Sequence, residues 1–150
     1  MLLDTLEPPA LRPALRNHAA APRRTLLLLE PFAMLRSTVI GVAKDFGMAQ
    51  IQEAVSFEAA AQQMSHRRFD GCVLSIGDER REVELIRRLR AGLTECWPTT
   101  PVAVMTAECD AAMVLVLREL QISRILLKPF KVKAILETIN QLFESTPLPK

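Results

Sequence analysis

The pattern that most constrains this chain is a fivefold alternation of short apolar runs with stretches of helical periodicity. Residues 25–29 form an apolar run, and residues 32–46 then place apolar side chains at 35, 39, 42 and 46. That spacing lines one face of a helix, and Gly47 is suited to end it. Residues 50–55 alternate polar and apolar, and Ser56 is a fitting N-cap for an alanine-rich helix over 57–67. Apolar runs recur at 71–76, 101–105 and 124–127, with helices expected over 82–91, 110–120 and 131–144. The last helix has apolar positions 132, 135, 139 and 142. Strands that take turns with helices build a parallel sheet covered on both faces. The expected fold class is therefore α/β, a flavodoxin-like doubly wound sheet of five strands in the order 2-1-3-4-5 with five helices. The alternating second strand suits an edge, and the unbroken first, third and fourth suit the middle.

A chain of 150 residues suffices for one domain with a real core. Six of the ten prolines lie outside the alternating region: Pro8, Pro9, Pro13 and Pro22 before it, Pro147 and Pro149 after it. The expected organisation is an N-terminal arm over 1–24, a domain over 25–144 and a tail over 145–150. The arm reads as poorly ordered or loosely docked, with room for a short helix over 13–20. Its Arg12, Arg16, Arg23 and Arg24 outnumber Asp4 and Glu7, which accounts for the whole net charge of +2. The rest of the chain is electrically neutral, so bulk-charge binding of nucleic acid is not expected. Three cysteines, Cys72, Cys96 and Cys109, have neither an even count nor metal-like spacing, which points to a reducing compartment. No secretory leader pattern opens the chain, and no run reaches the roughly 18 apolar residues of a membrane span. The expected location is the cytoplasm.

In open α/β sheets chemistry gathers at the carboxyl ends of the strands. Those ends hold Glu30-Pro31, the stretch from Ser75 to Asp78, Thr106-Ala107 and Lys128-Pro129-Phe130. Together with the strand–helix count, this set resembles the receiver domain of two-component response regulators, such as the single-domain chemotaxis regulators. The resemblance spans about residues 25–144. In that family two adjacent acids after the first strand and an aspartate ending the third bind Mg²⁺, and the aspartate accepts phosphate from a histidine kinase. A threonine or serine ending the fourth strand and a lysine ending the fifth grip the phosphoryl oxygens. The bond between that lysine and the following proline is cis. Carried over, Glu30 and Pro31 fall at the two acid positions, Ser75 at the acceptor, and Thr106 and Lys128 at the last two. Ile125 stands at the position of the switching aromatic, and the loop 77–81 lacks the usual Met-Pro turn.

These departures carry chemical weight. Phosphoryl acceptance here calls for a carboxylate, and a serine hydroxyl without a neighbouring base is a poor substitute. Magnesium favours several oxygen ligands including carboxylates, and only Glu30 remains. Asp78, three residues beyond Ser75, is the other weak metal candidate, but making it the acceptor would leave too short a link to the helix at Glu82. The expectation is a degenerate receiver with a vestigial phospho-site, no cofactor and no enzymatic activity. It would act as a stand-alone module through protein contacts in a bacterial-type signalling pathway. Taken alone, Glu30 and Pro31 would serve a helix N-terminus, and His66 the terminal carbonyls of its own helix. Arg87, Arg88 and Arg90 read as a solvated face offset by Glu82 and Glu84.

Residues 111–117, Ala-Ala-Met-Val-Leu-Val-Leu, are apolar on nearly every face of a helix. Such helices are normally covered on both sides. Met113, Val114, Leu117, Ile125, Pro129 and Phe130 are therefore the expected partner surface, used for a homodimer or another protein, unless the N-terminal arm folds over it. Two other readings stay open. One is a receiver still phosphorylated or metal-binding through Glu30 and Asp78. The other is a small nucleotide-binding α/β protein, although neither glycine-rich phosphate motif occurs.

Overall fold

The computed structural model describes residues 24–144; residues 1–23 of the expected arm, with the short helix expected over 13–20, and the tail lie outside the described residues. The elements are β1 (Thr25–Leu29), α1 (Ala33–Asp45), β2 (Gln50–Ala54), α2 (Phe57–His66), β3 (Gly71–Ser75), α3 (Arg81–Arg90), β4 (Val102–Thr106), α4 (Ala111–Glu119), β5 (Arg124–Leu127) and α5 (Val132–Glu144). The sheet order is β2-β1-β3-β4-β5 and every pairing is parallel. This is the flavodoxin-like arrangement expected from the alternation, with β2 at an edge.

The unbroken apolar runs are explained by burial on both faces. Alternate residues of the inner strands point to opposite sides. Leu26, Leu28, Val73, Ala103 and Met105 pack with Val39 and Ala43 of α1 and with Ile135, Ile139 and Leu142 of α5. Leu27, Leu29, Leu74 and Val104 pack with Met64 of α2, with Val83, Ile86 and Leu89 of α3, and with Met113 and Leu117 of α4. Local signals agree with this plan. Ser56 caps α2 through a bond from the Ala59 amide, and Asp110 caps α4 through one from Met113. Gly47, at φ 59°, takes the left-handed turn that ends α1.

Several side chains depart from the sequence expectation. In α4, Met113 and Leu117 are buried against the sheet, so they cannot serve as partner surface. The helix is amphipathic after all: Leu115 is its exposed large apolar residue, at 60%. The small residues Ala111 and Ala112 had made the outer face look as apolar as the inner one. Phe46 and Val132, expected on buried stripes, are exposed. Phe46 stands one residue past the last helical one, and Val132 opens its helix, so neither faces the core.

Arg90 is not part of a solvated face either. Its guanidinium donates to the carbonyls of Pro98 and Thr100 at 2.8 and 2.6 Å and of Leu120 at 2.8 Å. It thereby ties the loop between α3 and β4 to the end of α4. A guanidinium presents five donors in a fixed fork, which suits this bridging of loop carbonyls. Arg87 does meet Glu84 on the surface at 3.5 Å.

The two sides of α4 should respond differently to truncation. Leu117→Ala is expected to cost about 2–5 kcal/mol in chemical denaturation. Leu115→Ala should stay within about 0.5 kcal/mol. Equal costs would contradict the orientation of this helix.

Candidate functional site

Three inner strands and one edge strand deliver polar side chains to the same end of the sheet. Glu30 directly follows β1, and its carboxylate is almost fully buried. Its backbone continues the sheet through a bond from its amide to the Ala54 carbonyl at 3.1 Å. One carboxylate oxygen, Oε1, accepts from Lys128 Nζ at 2.8 Å. The other, Oε2, accepts from the Phe32 amide at 2.8 Å, so Glu30 also supports the entry to α1. Ser75 ends β3, and its Oγ accepts from Lys128 Nζ at 2.6 Å. Lys128 follows β5, and its amide donates to the Thr106 carbonyl at 2.8 Å. The Lys128-Pro129 peptide bond is cis.

The structure thus brings Glu30, Ser75 and Lys128 into one hydrogen-bonded cluster across residues far apart in sequence. Thr106 ends the neighbouring β4 but does not join the cluster. Its hydroxyl donates to the Glu108 carbonyl at 2.8 Å and so organises the turn toward α4. Pro31 is exposed, and its carbonyl, with that of Glu30, accepts from the Arg36 guanidinium at 3.3 and 2.8 Å. Arg36 also pairs with Glu53 at 3.0 Å, which holds the loop after β1 against β2.

Asp78 lies in the exposed loop after β3. It lines a shallow depression of about 330 Å³ bounded by residues 77–82, a set that includes none of Glu30, Ser75 and Lys128. Among the described residues no three His, Cys, Asp or Glu side chains converge as a metal-ligand group. At its own helix end His66 donates through Nδ1 to the Gln62 carbonyl at 2.8 Å.

One residue near the site has a role that sequence reasoning missed. Glu82 is buried rather than solvated, and its Oε1 accepts from the Gly77 amide at 3.1 Å. The carboxylate closes the loop after β3 from the first turn of α3. An acid in a first helical turn, reaching back to a free amide, is the signal that could have revealed it. Arg80, at φ 57°, makes the left-handed turn on which this loop closes.

Chemically, the cluster is a buried carboxylate neutralised by an ammonium that also holds a hydroxyl. Lys128 is charge-paired and donates to Ser75, so it does not act as a base toward the hydroxyl proton. Such a pair fixes geometry, since removing either partner strands the other.

No protein-family model matches the sequence, and no curated protein is similar to it. The fold, by contrast, is shared with many solved receiver domains. It is similar to a response regulator receiver domain protein from Methanospirillum hungatei JF-1, with a TM-score of 0.73 and 12% identity over 83% of this chain and 97% of that one. A response regulator from Thermotoga maritima gives a TM-score of 0.71 and 20% identity over 83% of this chain and 100% of that one. The signal receiver domain of a signal transduction histidine kinase from Syntrophus aciditrophicus gives 0.70 and 18% over 85% and 95%. At these identities the likeness establishes a receiver-type fold.

Breaking the ion pair should be measurable. Lys128→Met leaves the Glu30 carboxylate buried without its cation and should cost about 1–3 kcal/mol, less than a fully buried pair because Lys128 keeps some solvent contact. In a double-mutant cycle with Glu30→Gln, the two changes should couple by about 1–2 kcal/mol. Additive effects in denaturation would mean that the contact contributes nothing.

Proposed function

We propose that this chain is a receiver-type signalling module of the two-component kind that no longer accepts phosphate and acts by binding a protein partner. The observation that carries this reading is Ser75 at the end of β3, held by Lys128 at 2.6 Å. The position where receivers present a carboxylate presents a hydroxyl whose neighbour is a donor, not a base.

The Mg²⁺ that accompanies phosphoryl transfer in receivers does not fit the residues present. Such an ion favours octahedral oxygen ligands with at least one or two carboxylates. Pro31 offers no side-chain oxygen, Ser75 offers a neutral one, and both oxygens of Glu30 are engaged by Lys128 and the Phe32 amide. The vestigial phospho-site of Glu30, Pro31, Ser75, Thr106 and Lys128 is thus, in this reading, a structural remnant. The module is not an enzyme and uses no cofactor. Its cytoplasmic setting accords with three free cysteines, and its near-neutral charge favours protein partners over nucleic acid. No helix among the described residues is long and apolar enough to cross a membrane.

The partner surface is revised from the one expected. With Met113 and Leu117 buried, the contact would be made by Leu115 of α4, Leu127 of β5 and Val132 of α5, all exposed apolar residues. Val114, Ile125 and Phe130 are half-buried and Pro129 is exposed around them. We assign this face to a homodimer because β5 is an edge of the sheet and, among the described residues, its outer side has no neighbouring strand.

Two experiments test the reading. Acetyl phosphate with Mg²⁺ should give no acid-labile phosphoprotein, whereas Pro31→Asp combined with Ser75→Asp should restore labelling. Labelling of the unaltered chain that is lost in Ser75→Ala or Asp78→Asn would overturn the proposal. For the surface, sedimentation velocity should show a dimer that Leu115→Asp with Leu127→Asp converts to monomer without loss of helical signal. An unaltered chain that stays monomeric as its concentration is raised would refute the dimer.

A further inference from the structure

A groove runs between α3 and α4, apart from the Glu30–Lys128 cluster and from the β5 edge. Its volume is about 260 Å³. Val83, Met113 and Val116 are its buried and half-buried lining, while Arg80, Glu84 and Arg87 bring charge from the exposed side. The hollow is smaller than the roughly 300–1,000 Å³ of small-molecule pockets, so it suits a few side chains better than a cofactor.

Its charges are unbalanced. Arg87 has Glu84 at 3.5 Å, but among the described residues the Arg80 guanidinium has no hydrogen bond or ion pair. The acids nearest in sequence are engaged or elsewhere. Glu79 faces Arg81 at 3.4 Å, Glu82 accepts from the Gly77 amide, and Asp78 does not line the groove. Arg80 also stands at φ 57°, where glycine or asparagine would carry less strain. Backbone geometry is thus no reason for an arginine at this position.

We infer that the groove is the docking site of residues 1–7 of the same chain. That segment, Met-Leu-Leu-Asp-Thr-Leu-Glu, offers Leu2, Leu3 and Leu6 to the apolar floor and the carboxylates of Asp4 and Glu7 to Arg80 and Arg87. No other part of the chain outside the described residues has this character. Residues 8–23 hold Arg12, Arg16 and Arg23 without an acid, and residues 145–150 hold Lys150 without an acid. Reach is no obstacle. Residues 8–23 join the segment to Arg24 before β1, and such a tether can span about 50 Å. A domain of about 120 residues has a radius of gyration of only about 14 Å. An occupant tethered in this way acts at an effective concentration on the order of millimolar, so a shallow groove that would hold a separate peptide weakly is filled by its own chain. The inference does not rest on the signalling reading, and the groove lining includes none of Leu115, Leu127 and Val132.

The experiment places a nitroxide spin label at position 5 of the full chain, through Thr5→Cys in a Cys109→Ser background. Cys72 and Cys96 are buried and Cys109 is the partly exposed thiol, so this background directs the label to position 5. In the ¹⁵N-labelled chain the amide signals of Val83, Arg87, Ala112 and Val116 should broaden beyond those of other surface residues. Arg80→Glu should abolish that broadening, and adding Asp4→Arg with Glu7→Arg should restore it. Leu2→Ser with Leu6→Ser, which alters no described residue, should abolish it as well. A mixture of spin-labelled chain with ¹⁵N-labelled chain lacking the label should show none. Absence of selective broadening in the labelled chain, or its persistence in Arg80→Glu, would overturn the inference. Broadening in the mixture would also overturn it, by assigning the groove to the arm of a second copy.

Discussion

The interior of this protein depends on one constraint: the three central strands of a parallel sheet have no face open to water. Backbone groups there are satisfied by the sheet, but a polar side chain in the middle of β1, β3 or β4 would have no partner. The sequence accordingly keeps the middle of these strands apolar and confines polar side chains to their termini, with Thr25 opening β1. Ser75 and Thr106 are the last residues of β3 and β4, and Glu30 follows β1. The same rule that builds the core therefore gathers the side chains capable of chemistry at one end of it.

Once gathered, a buried carboxylate must be neutralised or solvated, and Lys128 does the former. Its ammonium reaches from the edge strand β5 across β4 to Glu30 beyond β3, and meets Ser75 on the way. The contact ties together three strand ends that no local interaction could hold. A single internal cation satisfies that acid. In the reading proposed above, this is why the site can persist without the ligands that receivers bind: its charge balance is already complete within the chain.

How much of this was legible in the sequence follows from the range of the interactions involved. Sheet order and the edge position of β2 were readable because burial on two faces imposes unbroken apolar runs, while an edge allows Gln50, Gln52 and Glu53. The convergence of Glu30, Ser75 and Lys128 was readable through the positions of strand ends. What failed were questions of which way a side chain turns. The outer face of α4 could not be separated from its inner face by apolarity alone, and only packing shows that Leu117 is buried while Leu115 is not. Arg90 and Glu82 look like ordinary helix charges, yet each is turned inward by unsatisfied backbone groups in a neighbouring loop. Such demands arise from tertiary structure and leave no periodic trace.

Both inward charges also serve loops, one at each end of the sheet. Glu82 closes the turn after β3 beside the cluster, and Arg90 braces the loop that carries Cys96 and Trp97. They stand on the same ten-residue helix, α3, Glu82 in its first turn and Arg90 at its last residue. A helix packed on the sheet through Val83, Ile86 and Leu89 is a stiff element, because its apolar side chains are close-packed. Displacement of α3 would therefore have to strain the hydrogen bonds at both of its ends. The loop after β3 and the loop before β4 are thus held by opposite ends of one stiff element.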